Sequence, residues 1–218
     1  MQKAPFASRI GLGVSVFFVA LVLTGMIEGL VPIKKYFPFT GMAILLLVTW
    51  LLYKVDNKNL SELGLQFTYN NYKFLFYGVI LSICAFLSAT VLKNLITGQV
   101  IEYNENYSVG LIFLGLYYLI PNVVVEELLY RGYLFKKTID KTSFFMTNII
   151  FSIIFMLVHV LDSQVLSSLG GIILMAVTIP IGHLLFAVAL VKSKTILFPI
   201  GLHLDQEHLK HGQALLLF

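Results

Sequence analysis

Charged residues are scarce in this chain of 218 residues, because Asp, Glu, Lys and Arg together make up only 12% of it. A soluble globular domain is closer to one quarter charged. Hydrophobic residues make up 58% of the chain, and the mean hydropathy is +0.89. This composition excludes an ordinary soluble domain and is typical of an integral membrane protein.

Cysteine and basic clusters are scarce as well. Cys84 is the only cysteine, which excludes an internal disulfide. The net charge of +4 is not gathered into a basic patch of the kind that lines a polynucleotide groove, so nucleic acid is not an expected partner. No repeat, low-complexity tract or long linker divides the chain. We therefore expect residues 1–218 to form a single membrane-embedded helical domain.

Long apolar runs predict the fold class. A membrane-spanning helix needs about 20 mostly apolar residues. Seven runs approach or exceed that length: Ile10–Val31, Phe39–Tyr53, Tyr72–Leu92, Val109–Val125, Phe144–Val160, Val165–Val191 and a last one from Ile196 onward. The sequence thus predicts an all-α, polytopic bundle of about seven to eight spans.

The basic residues predict an orientation in the membrane. They concentrate on alternate connections: Arg9, Lys54, Lys58, Lys136, Lys137, Lys192 and Lys194. By the positive-inside rule, the N-terminus is expected in the cytoplasm. The same rule places the stretch "EELLYR" at or near the cytoplasmic end of the fourth span.

The stretch "VVEELLYRGYLF" ends an apolar run with two adjacent carboxylates. On a helix, Glu127 and Arg131 are four residues apart and can pair. Glu126 is rotated by about 100° from Glu127 and shares its face with Tyr130 instead. The two carboxylates can therefore have different roles. In the alternative interpretation, both simply begin a solvated cytoplasmic loop.

Two later runs contain histidines. The run "FSIIFMLVHV" places Phe155 and His159 on one helical face, and "LFPIGLHLDQEH" places His203 one turn before Glu207. Counting along the fifth span puts His159 toward its outer end, so that helix has to be short, tilted or deeply set for His159 to meet the other groups. One glutamate and two histidines suffice to activate water against an amide. The alternatives are interfacial histidines, or a proton relay of Glu126 and His159 in a small transporter.

These motifs carry a resemblance to a known family. The elements are E-E-x-x-x-R, F-x-x-x-H and a late H-x-x-x-[ND]-like element, present here as Glu126, Glu127 and Arg131, then Phe155 and His159, then His203 and Glu207. In this order they resemble the CPBP family, the CAAX-protease and bacteriocin-processing (Abi) intramembrane proteases, which includes type II CAAX prenyl endopeptidases. The similarity covers roughly the second half of the chain, Ile120 to Glu207, and the motif-bearing catalytic half is expected over roughly residues 107–210.

The resemblance implies a helical bundle with a conical cavity open to the cytoplasmic leaflet, in which peptide bonds are hydrolysed. By position, Glu126 would be the general base and His159 would help to hold the water. His203 and residue Glu207 would stabilise the tetrahedral oxyanion. Small size and short loops resemble the bacterial members, so a multi-pass protein of the bacterial plasma membrane is expected.

The remaining motif residues would support the site. The resemblance implies that Glu127 pairs with Arg131 and braces the end of the helix. Tyr130 and Phe155, on the faces of Glu126 and His159, would pack beside the catalytic groups.

Position 207 departs from the family pattern, which has Asn or Asp there. An ionised Glu207 cannot donate a hydrogen bond to an oxyanion. Three explanations remain open: burial keeps Glu207 protonated, Glu207 orients His203, or the chain has lost catalysis. The third explanation would leave a non-catalytic immunity or scaffold protein of the same fold.

No cofactor is expected, since the sequence has no H-E-x-x-H motif and a glutamate with histidines can act without a metal. The alternative is a zinc-dependent protease with Glu126, His159 and His203 as ligands. The expected partners are a peptide or protein substrate and the lipid bilayer.

Overall fold

The computed structural model of the protein describes residues 5–30, 36–66, 68–98, 109–160 and 169–204. Within these ranges the secondary structure is entirely helical, which confirms the predicted all-α class. The helices are α1 (Phe6–Leu30), α2 (Thr40–Val55), a 3-10 helix (Leu60–Leu63), α3 (Tyr69–Thr97), α4 (Val109–Arg131), α5 (Tyr133–Ile139), α6 (Phe144–Val160), α7 (Leu169–Ser193) and α8 (Leu197–His203).

Four segments of the described chain are long and apolar enough to cross a membrane: Phe6–Gly29, Tyr69–Thr97, Phe113–Ile139 and Leu169–Ser193. Two shorter apolar helices, Thr40–Val55 and Phe144–His159, accompany them. These segments fit a polytopic membrane protein, whereas the predicted count of seven to eight spans is not confirmed. The predicted start of the sixth span, Val165, lies outside the described residues.

The predicted end of the fourth span, Val125, is wrong. Helix α4 continues to Arg131, so that Glu126 and Glu127 lie inside the candidate span Phe113–Ile139 and not at its end. An apolar count stops at the first charged residue, but a charge with a partner inside the bundle does not end a helix. The helix ends instead at Gly132, where a Cβ atom would come within 2.0 Å of the Leu128 carbonyl oxygen.

A close approach between glycines positions α8 against α3. A Cβ atom on Gly201 would lie 2.4 Å from the Leu75 carbonyl oxygen, and one on Gly78 would lie 2.6 Å from the Phe198 carbonyl oxygen. One turn further along α3, the Ser82 hydroxyl donates a hydrogen bond of 3.0 Å to the Leu202 carbonyl. Small residues that let two backbones meet are a common device of membrane helix pairs. This contact fixes the helix that ends at His203.

Charged contacts tie several helices together at the end where Arg9 and Lys137 lie. The carboxylate of Asp56, just after α2, forms ion pairs with Arg9 of α1 and Lys137 of α5, and accepts a hydrogen bond from the Tyr133 hydroxyl at 3.2 Å. We call this end of the bundle the basic end. The Asp56 contacts hold α1, α2 and α5 together there.

The start of α8 is anchored next to the 3-10 helix. The backbone N–H of Ile196 donates to the Leu63 carbonyl at 2.8 Å, and the Thr195 hydroxyl donates to the Gly64 carbonyl at 3.0 Å. At about 1.5 Å per residue, His203 lies roughly 10 Å further along α8. The two anchors and the glycine contact together set how deep His203 enters the bundle.

The glycine contact predicts a steric penalty. We expect Gly78→Ala to lower the free energy of unfolding by about 1–3 kcal/mol, because the new methyl group meets backbone atoms of α8 that cannot move independently. Gly182→Ala in α7 is the matched control, since a Cβ atom there meets nothing within 4 Å. The control should be neutral or up to about 1 kcal/mol more stable. Thermal unfolding in detergent measures both variants, and equal stability of the two would contradict the packing.

Candidate active site

The centre of the site is the carboxylate of Glu127, which contacts both Arg131 and His203. Its Oε1 lies 3.2 Å from Nη1 of Arg131, one turn along α4, and 2.8 Å from Nδ1 of His203 on α8. All three side chains are almost fully buried, with 0%, 2% and 5% exposed for Glu127, Arg131 and His203 respectively. A buried carboxylate is stable only with such partners, so the arrangement holds α4 and α8 in one relative position.

Glu126 faces the other nitrogen of the same imidazole. Its Oε2 lies 3.8 Å from Nε2 of His203, and its side chain is 24% exposed. This separation is too long for a direct hydrogen bond. The adjacent glutamates therefore differ as their helical rotation implies: Glu127 is fully enclosed, whereas the Glu126 side chain is partly exposed, with its Oε2 atom buried beside the imidazole.

An aromatic ring on α7 packs against the face of the His203 imidazole. The ring of Phe186 stacks on His203 with centroids 4.9 Å apart and an interplanar angle of 28°. The guanidinium carbon of Arg131 lies 5.0 Å from the centroid of the same Phe186 ring. At this distance the guanidinium makes a cation–π contact with the ring. The buried phenyl group of Phe186 therefore contacts both partners of Glu127. His203 is thus oriented by α4, α7 and α8 together.

His159 does not join this cluster. Its Nδ1 lies 2.9 Å from the Phe155 carbonyl oxygen of its own helix, and its ring stacks on Phe155 with centroids 4.2 Å apart. Because a carbonyl only accepts, Nδ1 carries the proton and Nε2 has a lone pair. Within the described residues, no hydrogen bond or ion pair connects His159 to Glu126 or His203.

Aromatic contacts link His159 to the cluster indirectly. The ring of Phe155 meets that of Tyr130 edge-on at 4.5 Å, and the Arg131 guanidinium lies 5.8 Å from the Phe155 centroid. Tyr130 and Phe155 therefore stand between His159 and the Glu127–Arg131 pair. The other expected site residue, Glu207, lies outside the described residues.

The residues proposed as zinc ligands do not converge here. Among the described residues, no group of three His, Cys, Asp or Glu side chains is placed to hold a metal ion. The Nδ1 atom of His203 is engaged by Glu127, and His159 makes its contacts within α6. The geometry of the described residues therefore does not fit the set Glu126, His159 and His203 as a zinc centre.

Sequence reasoning missed two features that shape the site. Phe186 carries no signal in the sequence beyond being apolar. Gly78 and Ser82, by contrast, are two small residues four apart on one helix, a readable pattern for close packing in membranes. His183 on α7 is buried, with Nδ1 2.9 Å from Oδ1 of Asn148.

The apolar helices fit a membrane protein, and the buried acid–base cluster is a polar site inside the helical bundle. Residues 108–204 match the family model described as type II CAAX prenyl endopeptidase Rce1-like. No curated protein and no solved structure matches the chain. The match confirms the family assignment made from the three motifs and supports a protease of the CAAX type at the general level.

The shared carboxylate predicts a large cost for removing one partner. We expect Arg131→Met to lower the free energy of unfolding by about 3 kcal/mol or more, because the buried carboxylate of Glu127 loses the guanidinium that pairs with it at 3.2 Å. The double variant Glu127→Gln/Arg131→Met should recover part of that loss, since residue 127 then carries no charge that needs a cation. Unfolding of the purified protein in an SDS titration measures both variants.

Lys192→Met is the control, because Lys192 is an exposed cation near the end of α7. Its effect should stay within about 0.5 kcal/mol. A double variant less stable than Arg131→Met alone would contradict the shared role of the carboxylate.

Proposed function

We propose that this protein is an intramembrane endopeptidase that hydrolyses peptide bonds of peptides or protein termini at the cytoplasmic membrane face. The observation that carries the proposal is the geometry around His203. One imidazole nitrogen is held by buried Glu127 at 2.8 Å, while the other faces Glu126 across 3.8 Å. A water and a substrate carbonyl can be activated at that gap without a cofactor.

Glu126 is the proposed general base. It is the more exposed of the two glutamates, and its Oε2 atom lies beside the imidazole whose orientation is fixed. The water loses a proton to Glu126 as its oxygen attacks the carbonyl carbon. Glu126 then returns that proton to the leaving nitrogen when the tetrahedral intermediate collapses. Positioned acid–base help of this kind accelerates reactions by about 10²–10⁴.

His203 is the proposed oxyanion donor. Its Nδ1–H donates to Glu127, so the ring cannot turn, and a protonated Nε2 points toward the gap at Glu126. A donor that is already aimed at the developing oxyanion is worth about 10²–10³ in rate. Glu127 and Arg131 are positioning residues in this mechanism, since they act through His203.

His159 and Glu207 keep their proposed roles as predictions. The Nε2 lone pair of His159 can accept a hydrogen bond from water, and that is the role proposed for it. Glu207 would either complete the oxyanion site or orient His203. A non-catalytic immunity protein and a zinc enzyme are the competing functions that the experiments below distinguish.

Replacement of the base predicts a loss of activity. We expect Glu126→Gln to reduce peptide cleavage by at least about 10²-fold, because the amide has the same shape but cannot accept the proton of water. The purified protein is incubated in detergent with a peptide library, and mass spectrometry identifies the products. Glu28→Gln is the matched control, because it removes a carboxylate from α1, beside Gly41, that the mechanism does not use.

The control should cleave at the rate of the parent, and both variants should unfold at the parent's temperature. Cleavage by Glu126→Gln at the parent's rate would contradict the proposal. Loss of activity on addition of a chelator, restored by Zn²⁺, would favour the zinc enzyme instead. No cleavage by the parent, together with protection of cells by parent and Glu126→Gln alike, would favour the immunity protein.

A further inference from the structure

A second polar cavity lies at the basic end of the bundle, away from the candidate active site. Its volume is about 110 Å³, which is larger than one water molecule requires. The polar residues that line it come from the end of α2, the 3-10 helix and the end of α5: Tyr53, Lys58, Glu62, Lys136, Lys137 and Asp140. None of these residues takes part in the proposed peptide hydrolysis.

Tyr53 contributes an unsatisfied hydroxyl to this cavity. The residue is only 2% exposed, and its ring packs edge-on against Tyr133 with centroids 5.3 Å apart. Its hydroxyl oxygen is buried and has no hydrogen-bond partner in the part of the chain that the structure describes. A buried hydroxyl without a partner costs about 1–3 kcal/mol. A hydroxyl that borders a cavity is therefore expected to meet an acceptor in that cavity.

The three lysines of the cavity have donors to spare. Lys58 pairs with Glu62 at 3.2 Å, Lys136 donates to the Glu62 backbone carbonyl, and Lys137 pairs with Asp56. An ammonium group has three N–H donors, so each of these contacts leaves two for another acceptor. The three lysines and Tyr53 therefore bring donors that can serve a ligand to the lining of one small cavity.

The net charge of the residues that line the cavity indicates whether the ligand is an anion or a cation. Three lysines line the cavity against two carboxylates, those of Glu62 and Asp140. The adjacent carboxylate of Asp56 is balanced by Arg9. A positive charge therefore remains, and an anion with several oxygen acceptors is the complementary ligand. A phosphate group has this chemistry, with oxygens that accept charge-assisted hydrogen bonds from ammonium groups.

We propose that this cavity is a binding site for a phosphate group, supplied by the headgroup of an anionic phospholipid. It lies where α2 and α5 end and where the basic residues predicted for the cytoplasmic face collect. Basic pockets between membrane helices on that side commonly hold anionic headgroups. The phosphate joins α2 to α5 and accepts the hydrogen bond that Tyr53 otherwise lacks.

Native mass spectrometry of the full chain tests the site. The protein, in a neutral detergent, is titrated with phosphatidylglycerol or with phosphatidylcholine, and inorganic phosphate is added as a competitor. We expect saturable retention of phosphatidylglycerol and little retention of phosphatidylcholine. Tyr53→Phe, which removes only the hydroxyl, and Lys136→Ala should each weaken retention by about tenfold, because each removes a hydrogen bond to a charged group.

Lys192→Ala is the control, since it removes an exposed cation outside the cavity and should bind like the parent. Competition by millimolar inorganic phosphate supports the phosphate site and shows that the free ion can also occupy it. Equal retention of both lipids overturns the proposal, as does unchanged binding in both Tyr53→Phe and Lys136→Ala. Lipid retention is measured without peptide cleavage. The proposed protease function and the proposed phosphate site can therefore be contradicted independently of each other.

Discussion

The structure depends on one buried negative charge. The carboxylate of Glu127 lies in the interior with no exposed surface, and its Oε1 is shared by Arg131 of its own helix and His203 of a distant one. An ionised group removed from water is tolerated only where its partners are close. Because one partner is 76 residues further along the chain, this requirement fixes tertiary structure as well as local pairing.

Two further contacts make that pairing possible. The glycine approach of Gly78 and Gly201 brings α8 against α3, and the Thr195 hydroxyl bond to the Gly64 carbonyl sets where α8 begins. A displacement of α8 by one turn, about 5.4 Å, would take His203 out of reach of both glutamates. Backbone packing among small residues thus determines whether the acid–base cluster exists.

Parts of the site could be predicted because they are local. Glu127 and Arg131 are four residues apart on one helix, so their proximity follows from helical geometry. The family, too, was legible from motif order, and its model matches residues 108–204. The end of the fourth span was predicted wrongly, because hydropathy cannot tell a charge that has a buried partner from one that begins a loop. Counting along the fifth span indicated that His159 lies toward its outer end, but whether His159 still meets Glu126 depends on where α6 packs.

The sequence by itself determined the membrane class, the all-α fold and the helical face of each motif residue, because these follow from composition and from a period of 3.6 residues. Only the tertiary structure decided that His203 binds Glu127, that Phe186 stacks on His203, and that Glu126 faces the second nitrogen of the same imidazole. The physical reason is that the two sets of contacts join residues at different separations along the chain. Contacts within one helix repeat with its period, whereas contacts between helices depend on the depth and rotation at which their surfaces pack, and no single segment encodes these.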